Sequence, residues 1–198
     1  ASFYNEQRLI VPSKDYGSPY FLLPGIQSNL LVAHPPIWAL LGAGMSWVLQ
    51  LEPTASDAYF ALKILSVISG LCIIILSAFL GRRLFGDFGG MLIAMWLAIS
   101  YLMIDFSGNG ALYSLQAVSY IAWIFVAYSS VKHKPVWLGV VSGLGYLVNH
   151  QSMILAAGSA VFILISSEDS FKKRLQNMCI VTAVTLAVTF PWLLRNYL

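Results

Sequence analysis

The stretch Ala33-His34-Pro35-Pro36-Ile37-Trp38 divides the chain into two parts of different character. Two consecutive prolines cannot lie inside a helix, but the second suits the start of one, where its missing N–H would have no partner. We therefore expect a polar, turn-rich arm over residues 1–34, a helix that begins near Ile37, and His34 held at the junction. Beyond the junction the chain is strongly apolar.

Composition indicates an integral membrane protein. Hydrophobic residues make up 59% of the 198 positions and charged residues only 10%, whereas charged residues make up about 25% of a soluble domain. We therefore predict an all-α fold, a polytopic transmembrane helical bundle. The net charge of +3 indicates no nucleic-acid surface. Cys72 and Cys179 lie in apolar runs, where cysteine packs as a small apolar side chain.

Residues 1–57 are predicted to form a non-cytoplasmic loop with an interfacial helix. The arm mixes turn-forming residues with five aromatic ones, which is typical of an ordered loop at a membrane interface. Residues 37–51 are apolar but too short for a bilayer, which takes about 20 residues, and they carry Trp38 and Trp47. We interpret this run as an interfacial or re-entrant helix, with a short spanning helix as the alternative.

Residues 58–198 are predicted to form the transmembrane bundle, with about six spans, two of them short. The apolar runs are Ala58–Leu80, Gly89–Ile104, Leu112–Val131, Val136–Ser166 and Met178–Leu194. Val136–Ser166 is too long for one ordinary span and is interrupted by Asn149-His150-Gln151, so we expect two short helices forming a hairpin. Polar loops are expected at Asp105–Gly110 and at Glu168–Arg174.

The basic residues indicate the orientation of these spans. If residues 37–51 do not cross the membrane, seven of the eleven basic residues fall on one side. They are Arg82, Arg83, Lys132, Lys134, Lys172, Lys173 and Arg174. By the positive-inside rule that side is cytoplasmic. The opposite side receives residues 1–57, Asp105–Gly110, Asn149-His150 and Arg195-Asn196.

Polar groups at membrane depth are costly, so those on the non-cytoplasmic side are candidate site residues. The structural alternatives are a turn cap for His150, a solvated interfacial carboxylate for Asp105 and an interfacial anchor for Arg195. A carboxylate can take a proton from an acceptor hydroxyl, and cationic side chains can stabilise a phosphate leaving group. These groups are needed to move a sugar from a lipid phosphate to an acceptor.

Several short motifs follow one another in a characteristic order. They are Asn5-Glu6, Gly17-Ser18-Pro19-Tyr20, His34-Pro35-Pro36, Gly81-Arg82-Arg83-Leu84-Phe85-Gly86, Gly139–Gly145 and Pro191-Trp192. Each is weak alone, but together they resemble the membrane glycosyltransferases of the GT-C class. The resemblance is to the dolichyl-phosphate-mannose–protein mannosyltransferase-like family, which includes aminoarabinose transferases. It covers nearly the whole chain and implies a helical bundle of the GT-C type.

The resemblance also implies a reaction. A sugar would pass from a polyprenyl-phosphate donor to a lipid, glycan or protein acceptor at the non-cytoplasmic face, among membrane lipids and without a cofactor or metal. The family's catalytic base occupies the position of Asn5, whose amide cannot accept a proton, so Glu6 or Asp15 is expected to act as the base. The other candidates are His34, His150 and Arg195 for the donor phosphate, and Asp105, Tyr113 and Asn149 for the lining of the site.

Two other functions remain open. One is a non-catalytic membrane subunit for binding or transport, whose central site would be the broken helix at Asn149-His150. The other is a degenerate paralogue that has lost its base, for which Asn5 argues. We also expect the chain to be part of a longer enzyme, because family members carry further spans before the first loop and after Pro191-Trp192. The expected location is a bacterial plasma or inner membrane, or the endoplasmic reticulum membrane in a eukaryote.

Overall fold

The computed structural model describes residues 36–52, 54–110, 112–166 and 169–197. This part of the chain is helical and contains no strand, which confirms the predicted all-α fold. Its elements are α1 (Ile37–Val48), α2 (Ala55–Ile99), α3 (Tyr101–Gly108), α4 (Tyr113–Tyr128), α5 (Lys134–Val148), a 3₁₀ helix (His150–Met153), α6 (Ile154–Ser166) and α7 (Phe171–Tyr197). The arm up to Pro35 lies outside the described residues.

Helix α1 begins at Ile37, with Pro36 immediately before its first residue, so the start predicted from the two prolines is confirmed. Trp38 is buried with Leu62 and Leu65 of α2 in one apolar cluster, whereas Trp47 is exposed. Among the described residues, two helical stretches, Ser56–Ile99 and Phe171–Leu194, each contain a segment long and apolar enough to cross a membrane. The number of spans and the interfacial position of residues 37–51 stay predictions.

Helix α2 is a hairpin, because its backbone reverses at Gly86. This residue has φ 78°, a conformation that glycine adopts without steric cost. The two arms pack closely through small residues: a Cβ on Gly90 would lie only 2.7 Å from the carbonyl oxygen of Ala78, as in small-residue contacts between membrane helices. The first arm therefore continues beyond Gly81, where the sequence predicted that the span ends.

Asp105–Gly110 is not the predicted loop. The chain bends at Ser100, and α3 then carries Asp105 to Gly108 in helical conformation before the turn at Asn109-Gly110. The carbonyl oxygens in the last turn of a helix lack partners within it. Here the Ser66 and Ser114 hydroxyls both donate to the Phe106 carbonyl oxygen, at 2.9 and 2.7 Å, and they stabilise that turn as helix.

The predicted break in Val136–Ser166 is confirmed. Asn149 has extended backbone angles between α5 and the 3₁₀ helix. Helix α6 then runs back along α5: the Ser142 and Ser159 hydroxyl oxygens lie 3.4 Å apart, and Leu138 and Ile163 belong to one buried cluster. The two helices therefore form an antiparallel hairpin.

Helix α7 packs along α5 through two glycines. A Cβ on Gly139 or on Gly143 would lie 2.7 Å from the Cβ of a valine in α7, and the Thr185 hydroxyl donates to the Gly139 carbonyl oxygen at 3.2 Å. The predicted loop Glu168–Arg174 is partly wrong, because α7 already begins at Phe171. Arg174 donates to the carbonyl oxygens of Leu164 and Asp169, which joins the first turn of α7 to the end of α6.

The reversals of the chain define two ends of the bundle. The polar end comprises the start of α2 at Ala55, the turn at Asn109-Gly110 and residues 149–153. The basic end comprises the turn at Gly86, residues 129–134 and the first turn of α7. The seven basic residues that were predicted to share one side of the membrane all lie at the basic end.

Candidate functional site at the polar end

The break after α5 is joined to α4 by two side-chain amide groups. Asn149 Nδ2 donates to Gln116 Oε1 at 2.9 Å, and Gln116 Nε2 donates to the Tyr120 hydroxyl oxygen at 2.7 Å. Gln116 is only 7% exposed. Asn149 Oδ1 also accepts from the backbone N–H of Gln151, so this one side chain caps the 3₁₀ helix and holds the break against α4. Asn149 is thus a positioning residue for the segment that follows it.

His150 opens the 3₁₀ helix and is exposed. Its ring lies 6.0 Å from the ring of Tyr146, measured between centroids. Two residues further on, the Ser152 hydroxyl is fully buried and has no hydrogen-bond partner within the described part of the chain. A buried polar atom of this kind is uncommon in folded proteins. At the start of the same 3₁₀ helix, the exposed imidazole of His150 directly follows Asn149, whose side chain is hydrogen-bonded to α4 and to the 3₁₀ helix.

A second set of polar groups surrounds the turn between α3 and α4. The Tyr59 hydroxyl donates to the Asn109 carbonyl oxygen at 3.3 Å, and Lys63 Nζ lies 5.0 Å from the centroid of the Tyr59 ring. A Cβ on Gly110 would lie 3.2 Å from the Tyr59 ring and 3.5 Å from the Lys63 side chain. Lys63 therefore places a cation near the polar end.

The structure describes the side chains of some of the predicted site residues. Tyr113 lies three positions before Gln116 on α4 and packs against Phe106, with ring centroids 5.3 Å apart. Tyr113 is thus about one helical turn from Gln116, the residue to which Asn149 donates. Asp105 is exposed on α3. Arg195 belongs to α7, but its side chain lies outside the described part. Asn5, Glu6, Asp15 and His34 also lie outside it.

Two residues of this region were missed by the sequence interpretation, although each left a signal. Gln116 is the one amide side chain in the apolar run Leu112–Val131, and Lys63 is the one charged residue in the run Ala58–Leu80. An isolated polar residue in a membrane-spanning run marks a functional position by default. No group of histidine, cysteine, aspartate or glutamate residues able to hold a metal occurs among the described residues.

Comparison with known protein families gives one match. The model of a family described as dolichyl-phosphate-mannose-protein mannosyltransferase matches residues 33–194. No curated protein and no solved structure gives a significant match. The matched range begins just before His34 and contains the whole polar end from Ala55 to Met153, whereas Glu6 and Asp15 precede it. The family resemblance inferred from the motifs is confirmed. This membrane protein belongs to the dolichyl-phosphate-mannose-protein mannosyltransferase family.

Proposed function

We propose that this chain is part of a GT-C glycosyltransferase that moves a sugar from a polyprenyl-phosphate donor to an acceptor hydroxyl at the non-cytoplasmic membrane face. Family membership implies glycosyl transfer. The observation that supports the donor and the face is the separation of the two ends. The bonded pair Asn149–Gln116, the exposed His150 and Lys63 lie at the polar end, while seven basic residues lie at the opposite, basic end, which the positive-inside rule assigns to the cytoplasm.

The proposed reaction is a displacement at the anomeric carbon of the sugar. The acceptor oxygen forms a bond to that carbon, and the bond to the phosphate oxygen breaks, so that the lipid phosphate leaves with the electron pair. The proton of the acceptor hydroxyl passes to a carboxylate, for which we propose Glu6, with Asp15 as the second candidate. Cationic groups near the phosphate stabilise the charge that develops on it.

The proposed phosphate-binding residues are His34, His150 and Arg195. We add Lys63, because it lies beside Tyr59 at the polar end. His150 follows Asn149, whose side chain bonds to α4 and to the 3₁₀ helix. A group that binds a leaving phosphate is effective when its support is rigid. Asp105, Tyr113 and Asn149 are proposed to line the same site.

The depth of the helix break favours a transferase over a transporter. A transporter needs its broken helix near the bilayer midplane. Asn149 instead follows the full length of α5 and bonds to Gln116, which lies in the first turn of α4. This position at one end of the bundle supports a site that is open to one face. The other alternative, a degenerate paralogue without its base, would differ from the active enzyme only in turnover, so a measurement of turnover separates the two.

The test measures donor affinity and turnover in the full-length enzyme. His150→Ala and His34→Ala should each weaken donor binding about tenfold, since each removes a charge-assisted hydrogen bond to phosphate. Their effects should be non-additive if both side chains contact one phosphate. Met153→Ala is the matched control, because Met153 is exposed on the same 3₁₀ helix and should leave affinity unchanged. Wild-type affinity in both histidine variants would refute the phosphate role.

A further inference from the structure

A cavity at the basic end has no part in the proposed transfer. Its volume is about 580 Å³, and residues from the start of α5, the end of α6 and the start of α7 line it. Its apolar wall includes Leu138, Phe162 and Ile163. Its polar residues include Lys134, Lys173 and Asp169. A cavity lined by both apolar and charged side chains suits a ligand with both kinds of surface.

Both lysines are held in place by the protein. Lys134 Nζ donates to the Ala127 carbonyl oxygen at 2.9 Å, at the end of α4, and lies 5.9 Å from the centroid of the Phe162 ring. Lys173 Nζ lies 2.7 Å from Asp169 Oδ1. Because an ammonium group has three N–H donors, each lysine keeps donors beyond these contacts. Two cations thus share one cavity, Lys134 partly buried and Lys173 with 61% of its side chain exposed.

The charge around the cavity is positive. Among the described residues that line it, two are lysines and one is an aspartate. The exposed Lys132 and Lys172 are sequence neighbours of lining residues, and so is Glu168. Asp169 lies just before α7 and pairs with Lys173, whereas the first turn of α5 holds no acidic residue to offset the positive end of that helix. An anion is therefore the favoured partner of this cavity.

We propose that the cavity binds the phosphate of an anionic phospholipid headgroup from the leaflet at the basic end, with the first carbons of the lipid against Leu138, Phe162 and Ile163. A free phosphate would leave that apolar wall without a partner, whereas a lipid buries it. Basic pockets between membrane helices are known to bind such headgroups. The site lies at the opposite end of the bundle from the proposed transfer site, and it does not depend on the transfer reaction.

The test titrates the full-length protein in detergent micelles with dioctanoyl phosphatidylglycerol and measures the heat of binding. Lys134→Gln and Lys173→Gln should each weaken binding about tenfold, since each removes a charge-assisted hydrogen bond. Arg83→Gln is the matched control: it removes the same charge from the same end, but Arg83 does not line the cavity. Glycerol 3-phosphate and dioctanoyl phosphatidylcholine should both bind at least about tenfold more weakly than the anionic lipid.

Asp169→Asn should tighten binding several-fold, because it removes the carboxylate that pairs with Lys173. The proposal is overturned if Lys173→Gln binds as well as the wild type, if Arg83→Gln loses as much affinity, or if glycerol 3-phosphate binds as tightly as the lipid. Failure of Asp169→Asn to tighten binding also contradicts it. Lys134 donates to a carbonyl oxygen at the end of α4, so Lys134→Gln can also destabilise the fold. If that variant does not fold, Lys173→Gln alone decides. A negative result would leave the transfer proposal untouched.

Discussion

The polar end and the basic end differ in how far their hydrogen-bonded and paired side chains are exposed to water. At the polar end, Asn149 and Gln116 bond to each other, and each also bonds to a further group, Asn149 to the backbone of Gln151 and Gln116 to Tyr120. At the basic end, Arg82 and Asp87 pair on the surface, with side chains 66% and 81% exposed. Water can replace the exposed ion pair, but it replaces less easily a bond that includes the buried Gln116. The amides at the polar end therefore hold the helix break in place, whereas the ion pair in the turn of α2 contributes little to the fold.

The largest effect is expected from the proposed base. Glu6→Gln should reduce turnover at least about 100-fold, because an amide cannot take the proton of the acceptor. Donor affinity should be unchanged, since the glutamate acts on the acceptor. Single-turnover transfer and donor binding are measured on the same full-length preparation, with Asp15→Asn alongside. Full turnover in Glu6→Gln together with loss in Asp15→Asn would move the base to Asp15.

The second-largest effect is expected from the packing of α5 against α7, two helices that run between the basic end and the polar end. Gly143→Leu should lower the free energy of unfolding by about 2–3 kcal/mol, because even a Cβ there would lie 2.7 Å from Val188 and overpacking is destabilising. Gly44→Leu is the control, since a Cβ at Gly44 meets nothing within 4 Å. Thermal unfolding in detergent measures both. Equal losses in the two variants would show that the α5–α7 contact is not tightly packed.

The amide pair Asn149–Gln116 should have a smaller effect. Asn149→Ala should cost about 1 kcal/mol of stability, because it leaves Gln116 Oε1 without its donor. A double-mutant cycle with Gln116→Leu should give a coupling energy of at least about 0.5 kcal/mol. Asn177→Ala, at the basic end, is the control, since its contact to Asp169 is long at 3.5 Å. A coupling energy near zero would remove the contrast between the two ends.

The smallest effect is expected at the surface of the basic end. Asp87→Asn removes the pair with Arg82 in the turn of α2, and it should change stability by less than about 0.5 kcal/mol, as for other exposed ion pairs. Raising the salt concentration should reduce even this difference. Chemical unfolding at two salt concentrations provides the measurement. A loss comparable to that of Asn149→Ala would mean that the surface pair is as important as the buried one.

Local sequence features predicted the parts of the fold that depend on local chemistry. Pro36 sets the start of α1, because proline suits the beginning of a helix and not its interior. Asn149-His150-Gln151 interrupts an apolar run, and the chain reverses there. The grouping of the basic residues at one end also followed from the order of the runs.

The errors arose where distant contacts decide the local structure. Asp105 was expected in a loop, but α3 continues past it because hydroxyls of Ser66 and Ser114 satisfy the Phe106 carbonyl oxygen. Ser66 is 40 residues away from Phe106, so no local pattern reveals the contact. The pairing of Asn149 with Gln116 was hidden for the same reason. The sequence could name a candidate residue of the site, but not its partner.

The most direct test of the account is the side of the membrane on which each end lies. In a full-length protein without Cys72 and Cys179, single cysteines replace the exposed residues Gln151 and Ser56 at the polar end and Lys132 at the basic end. An impermeant thiol reagent is applied to sealed, right-side-out membranes. Gln151→Cys and Ser56→Cys should be labelled from outside, and Lys132→Cys only after the membranes are opened. Labelling of Lys132→Cys from outside with protection of Gln151→Cys would contradict a transfer site at the non-cytoplasmic face.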